Sequence, residues 1–141
     1  MLKLNDPARK IMKERFGKDS LLALATISDG MPQVRTVDAY YEDGSFYVVT
    51  YALSGKMRQI DQNPAVALCG DWFTAHGTGR SLGSFDKAEN ASIAQTLRGV
   101  FQWLDNGHTD PADETTVILQ IRLTDGVLWA DGQRFDLDFS D

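Results

Sequence analysis

The chain has 141 residues, 43% hydrophobic and 24% charged, which excludes a disordered tail, a collagen-like fibre and a coiled-coil rod and suits one domain with one modest core. Its 14 Lys and Arg against 20 Asp and Glu leave a net charge of −6. Nucleic acid and anionic membrane are thereby excluded as default partners, and a site for a phosphorylated ligand has to be built locally from a few cations. Cys69 is the one cysteine, so an internal disulfide is impossible, and with His76 and His108 it is too small a set for a Cys/His zinc site. The first ten residues contain no apolar leader and no stretch is long and apolar enough to span a bilayer, so the expectation is a soluble, cytoplasmic protein with residues 1–141 forming a single domain.

Asn5 or Asp6 can cap a first helix with Pro7 at its start, Ala8, Ile11, Met12 and Phe16 on one face, and Gly17 as its stop. Residues 20–28, rich in Leu, Ala and Ile, read as a buried strand, and Asp29-Gly30 as a hairpin turn. Residues 33–41 form a second strand with Val34, Thr36, Asp38 and Tyr40 on one face and Arg35, Val37, Ala39 and Tyr41 on the other. After a turn at residues 42–45, residues 46–51 make a third. Ser54 caps a short helix over 55–62, with Met57 and Ile60 inward, which Asn63-Pro64 ends. Residues 65–69 read as a fourth strand holding Cys69 as a buried thiol, and 72–80 as a fifth loosened by Gly77 and Gly79. The longest helix is expected from Asp86 to about Leu104, with Ile93, Leu97, Val100, Phe101 and Leu104 as its apolar stripe. Strands at 115–123, 127–130 and 134–139 follow, separated by Asp125-Gly126 and Asp131-Gly132. With hairpins throughout and no βαβα alternation, an antiparallel barrel is expected, because closure removes exposed strand edges.

Arg35 stands in a strand of small and apolar residues. A guanidinium there either snorkels to the rim and pairs with an acid such as Asp38 or Asp61, or is aimed at an anion. Lys56 falls in the first turn of a helix, where the dipole disfavours a cation unless an anion sits on the N-terminus. The N–H groups of residues 54–56, the Thr50 and Ser54 hydroxyls, Lys56 and Arg35 together suit one phosphate. In the other reading Ser54 only caps and Lys56 is solvated. Ser54-Gly55-Lys56 is no P-loop, which needs Gly at Thr50 and Ser or Thr at Met57. Gly77-Thr78-Gly79 is too short for a dinucleotide fingerprint. His76 and His108 read as surface or capping histidines, His108 at a helix end.

The ordered pieces Pro32-x-Val34-Arg35-x-Val37, Phe46-Tyr47-Val48-Val49-Thr50, Lys56-x-x-Gln59-Ile60 and Asn63-Pro64-x-Val66-Ala67-Leu68 resemble the FMN-binding split-barrel family. That family includes pyridoxamine 5′-phosphate oxidases and the shorter general-stress-protein and flavin-reductase relatives. The resemblance is clear over about residues 20 to 80, extends towards the C-terminus, and implies a mainly β, six-stranded antiparallel Greek-key split barrel with flanking helices. It also implies a homodimer holding FMN in a groove at its interface. It places Arg35 and Lys56 on the phosphate with Thr50, and Val49 beside it. Thr36 and Val37 run along the isoalloxazine, Ser54 lies in the loop before the lysine, and Trp72 stands near where the oxidases place a polar residue that reaches the partner's flavin. Gly55 and Tyr40 depart from the oxidases, which carry basic residues there, and the oxidases' C-terminal signature is missing. The resemblance thus implies flavin binding without pyridoxamine phosphate oxidation. Trp72, Phe73, Trp103 and Trp129 are the candidate cover for the ring.

Because the flavin carries the chemistry, the lack of an evident acid–base pair fits an FMN-dependent oxidoreductase with an unidentified small substrate. It equally fits a non-enzymatic flavin-binding or stress-response module. A third reading puts deazaflavin or haem in the groove. The acidic composition opposes a polyanionic deazaflavin tail, and haem needs His76 or His108 as ligand.

Overall fold

The computed structural model describes residues 3–107 and 109–140; the expectation for His108 lies outside them. Helix α1 (Asp6–Phe16) is capped by the Asn5 side chain, which accepts from the Ala8 N–H. It is followed by strands β1 (Ser20–Ser28), β2 (Met31–Glu42) and β3 (Ser45–Tyr51), helix α2 (Gly55–Gln62), and strands β4 (Ala65–Gly70) and β5 (Phe73–Ser84). Helix α3 (Ala91–Val100), β6 (Thr116–Ala130) and β7 (Gln133–Asp138) complete the order. The Asp-Gly hairpin turns at Asp29-Gly30, Asp43-Gly44 and Asp131-Gly132 hold positive φ at both residues, the geometry whose twist matches antiparallel strands.

The sheet runs β3-β2-β1-β4-β5-β6-β7, and β3 also pairs with β6 along its whole length. Those pairings close a six-stranded antiparallel barrel and leave β7 as an added strand beside the far half of β6. The chain leaves β3, crosses one end of the barrel as α2, and re-enters as β4 beside β1. This is the Greek-key connection of a split barrel, as expected. Leu22, Leu24, Val37, Phe46, Val48, Leu68, Leu119 and Ile121 fill the interior. Phe16 of α1 plugs one end against Phe73 and Phe46, with ring centroids 4.9 and 5.7 Å away. Ile60 of α2 covers the other end, beside Gly79 and Leu119.

Three expectations change. The strands at 115–123 and 127–130 are one, β6, because Asp125-Gly126 is not a turn. The register with β5 slips between His76 and Gly77, and a Cβ on Gly126 would lie 2.6 Å from the Thr74 carbonyl oxygen. The glycine serves close strand approach two residues from that slip, whose extra residue is Thr124. The helix expected over 86–104 is three pieces: a 3₁₀ turn at Ala88–Asn90, α3, and a second 3₁₀ turn at Gln102–Asp105. Asn90 donates to the Leu82 and Ser84 carbonyls and ties the entry to the end of β5. At the exit Phe101 leaves helical geometry (φ −96°, ψ 84°) and its ring is fully buried with Leu97 and Leu104 against Val49 and Ile118. Burial of the stripe outweighs helical continuity. Finally, Cys69 is exposed. Val66 and Leu68 face the barrel interior, so alternation turns Ala65, Ala67 and Cys69 outward. Among the described residues no helix is long and apolar enough to cross a membrane.

Candidate functional site

The site lies where α2 caps the barrel. On β1 the inward positions are Leu22, Leu24 and Thr26, and Thr26 is a hydroxyl among hydrocarbons, 1% exposed. Arg35 stands directly across from Leu24 in the β1–β2 register, on the same side of the sheet as buried Val37 and Ala39. Its Nη1 donates to the Leu24 carbonyl at 3.2 Å and to Thr26 Oγ1 at 2.7 Å, and its Nη2 donates to Gln59 Oε1 at 2.9 Å. Thr26 donates in turn to the same Gln59 oxygen at 2.5 Å. Among the described residues Arg35 is paired with neither Asp38 nor Asp61; every acceptor it meets is neutral.

Gln59 is three residues after Lys56 on α2, so one short helix ties both cations together. Ser54 caps that helix, its Oγ accepting from the Met57 N–H at 3.4 Å. Partial burial lowers the Lys56 ammonium below its ordinary value, and the positive Arg35 guanidinium lowers it further. Burial likewise lowers Arg35. Two partly desolvated cations thus repel one another beside α2, and among the described residues no carboxylate pairs with either. Such an arrangement is costly empty and favourable around an anion. A tetrahedral dianion fits the donor set: two cationic side chains, the first-turn N–H groups and a nearby hydroxyl.

The other expected positions divide. Thr50 is half-buried near the end of β3, four residues before the Ser54 cap. Val49 packs away from the barrel interior, under α3 with Phe85 and Phe101. Val37 is buried in the barrel core, while Thr36 is exposed on the outer face. Trp72 is not brought to the cations within one chain. It occupies the β4–β5 turn, past the end of β4 that points away from α2, with φ 52° and 75% exposure. Of the proposed ring cover, Phe73 is in the core between Phe16 and Phe46, because it alternates inward with Ala75. Trp103 stacks near Phe101 at 5.2 Å, and Trp129 stays 42% exposed on β6.

Two members of the cluster, Thr26 and Gln59, were given no role by the sequence. The signal was present: Thr26 interrupts an inward Leu-x-Leu alternation, and Gln59 sits beside the inward Ile60 of α2. Beside the cluster, Val34 and Thr36 open from β2 onto the outer face of the barrel. There a cleft of about 370 Å³ is walled by Ala23, Ala25, Val34, Ala67, Cys69 and His76. His76 and Asp125, paired across β5 and β6, share one wall of it, with Nδ1 2.9 Å from the carboxylate.

A family model described as pyridoxamine 5′-phosphate oxidase matches residues 9–130. Among solved structures, the general stress protein 26 from Bacillus anthracis superposes with a TM-score of 0.70 at 19% identity, covering 92% of this chain and 98% of that one. A FAD-binding protein from Mesorhizobium loti gives 0.66 at 17% identity, covering 87% and 92%. A heme storage protein from Vibrio cholerae gives 0.65 at 14% identity, covering 96% of each chain. At these identities the likeness is one of fold. No curated protein sequence matches the chain.

Proposed function

Since the chain belongs to the pyridoxamine 5′-phosphate oxidase family, we propose that it binds flavin mononucleotide, with the phosphate between Arg35 and Lys56, as a homodimeric flavin-dependent oxidoreductase of a small substrate. The observation that carries this reading is the Arg35 guanidinium held on neutral acceptors alone, beside a second half-buried cation, Lys56. Thr50 and the Ser54 loop add a hydroxyl and N–H donors to the phosphate end, and the β2 backbone at Thr36 and Val37 lies along the ring, with Val49 holding β3 in place behind it. The flavin when bound supplies hydride and electron transfer; the protein's residues hold its anionic end and exclude water from one side of the ring. Exposed Val34 and Trp72, at 70% and 75%, mark outer surface that a second copy covers, with Trp72 reaching the partner's flavin. Pyridoxamine phosphate oxidation is not part of the proposal, because Gly55 and Tyr40 stand where the oxidases carry cations.

Purified protein mixed with FMN and then a nicotinamide donor separates enzyme from carrier. Bleaching followed by reoxidation upon substrate addition supports turnover, and tight binding without bleaching assigns a flavin-binding module instead. A second reading, haem, is favoured by one observation. The Asp125 carboxylate fixes His76 through Nδ1 and leaves Nε2 for a ligand, the arrangement that orients metal-bound imidazoles. A Soret band that appears with added haem and vanishes in His76→Ala supports it; no band in wild type removes it.

A further inference from the structure

Arg35 is held by a closed ring of hydrogen bonds: Arg35 Nη1 to Thr26 Oγ1, the Thr26 hydroxyl to Gln59 Oε1, and Arg35 Nη2 to that same oxygen. Every acceptor in the ring is neutral, as is the Leu24 carbonyl that takes the third bond. A carboxylate at Gln59 would orient the guanidinium equally well, but it would cancel its charge. The amide orients without cancelling. Thr26 matters because its hydroxyl both accepts from Arg35 and donates to Gln59, and its nearly complete burial, 1% exposed, gives it no solvent alternative.

We infer that Gln59 and Thr26 are positioning residues that aim Arg35 at the phosphate while leaving its full charge for the ligand. This rests on the proposed phosphate site. It makes the discrimination of FMN from riboflavin, which lacks the phosphate, a property of residues that do not touch the ligand. The helix carrying Gln59 also carries Lys56, so the same amide couples the two cations' placement.

The test is the ratio of FMN to riboflavin affinity, read by flavin fluorescence on the whole chain. Gln59→Met, which removes the acceptor at similar size, and Gln59→Glu, which keeps size and acceptor but adds charge, each lower the ratio by about tenfold with riboflavin affinity unchanged. Thr26→Val lowers it similarly, and Thr26→Ser, which restores the hydroxyl, keeps the wild-type ratio. A purely structural role moves the thermal midpoint and leaves the ratio alone. An unchanged ratio in Gln59→Met and Gln59→Glu, with Arg35→Ala losing it, overturns the positioning role and spares the phosphate site. An unchanged ratio in Arg35→Ala overturns both.

Discussion

At neutral pH the Lys56 ammonium and the Arg35 guanidinium both carry charge, and each is lowered by burial. A bound dianion reverses that cost and raises Lys56 again, so above the empty site's Lys56 pKa binding takes up a proton. FMN affinity is therefore flat near neutrality, falls below about pH 6 as the phosphate gains its second proton, and falls again in alkali from a pH below the ordinary lysine value of 10.5. Fluorescence titrations across pH check this, and Lys56→Arg, which does not titrate in that range, abolishes the alkaline limb. A second titrating residue belongs to the fold. The Asp19 carboxyl is pushed up to about 6, first by partial desolvation and then by the neighbouring Asp38. Raised above its ordinary 3.8, it favours the native state most fully at low pH and loses that contribution as pH climbs through about 6. Asp19→Asn is accordingly more stable than wild type at pH 7 and equal to it near pH 3. Because Asp19 is largely exposed, the gain stays below about 1 kcal/mol, measured as a urea midpoint at each pH.

Among the elements, β6 shows how far local pattern reaches. Asp-Gly announced three hairpins correctly, because each of those glycines takes a positive φ. The same dipeptide at 125–126 lies inside a fifteen-residue strand, where its glycine answers a contact with β5 that no local pattern displays. Gly126→Ala places a methyl group against the Thr74 carbonyl and costs roughly 1–3 kcal/mol, read from chemical denaturation. Wild-type stability in that variant would contradict that close approach. Strands β1 to β4 and α2 were legible because their signals are local: caps, turn dipeptides and alternation. The 3₁₀ breaks around α3 were not, since they follow from how Phe101 and Leu104 reach the cluster on β3 and β6. Cys69 was misplaced for a related reason. An apolar run does not say which of its faces meets solvent, and here the outward face is built from small residues.

For the whole molecule, the chain order of α2 between β3 and β4 brings Lys56 over the barrel end where β2 delivers Arg35. That convergence was readable as two cations suited to one phosphate, while the ring of Thr26, Gln59 and Arg35 required the fold. The exposed apolar surface around Val34 and Trp72 predicts self-association. Val34→Lys shifts the protein to monomer in sedimentation and weakens flavin binding with it; a wild-type monomer that retains FMN contradicts a shared groove. The most direct measurement is an FMN titration of wild type beside the Arg35→Ala/Lys56→Ala double variant, with far-UV circular dichroism as the control of fold. With each charge-assisted bond worth roughly 1.5–3 kcal/mol, affinity falls at least about 100-fold in the double variant while the spectrum stays native. Equal affinity in the two proteins would place the cofactor's anionic end elsewhere and contradict the site.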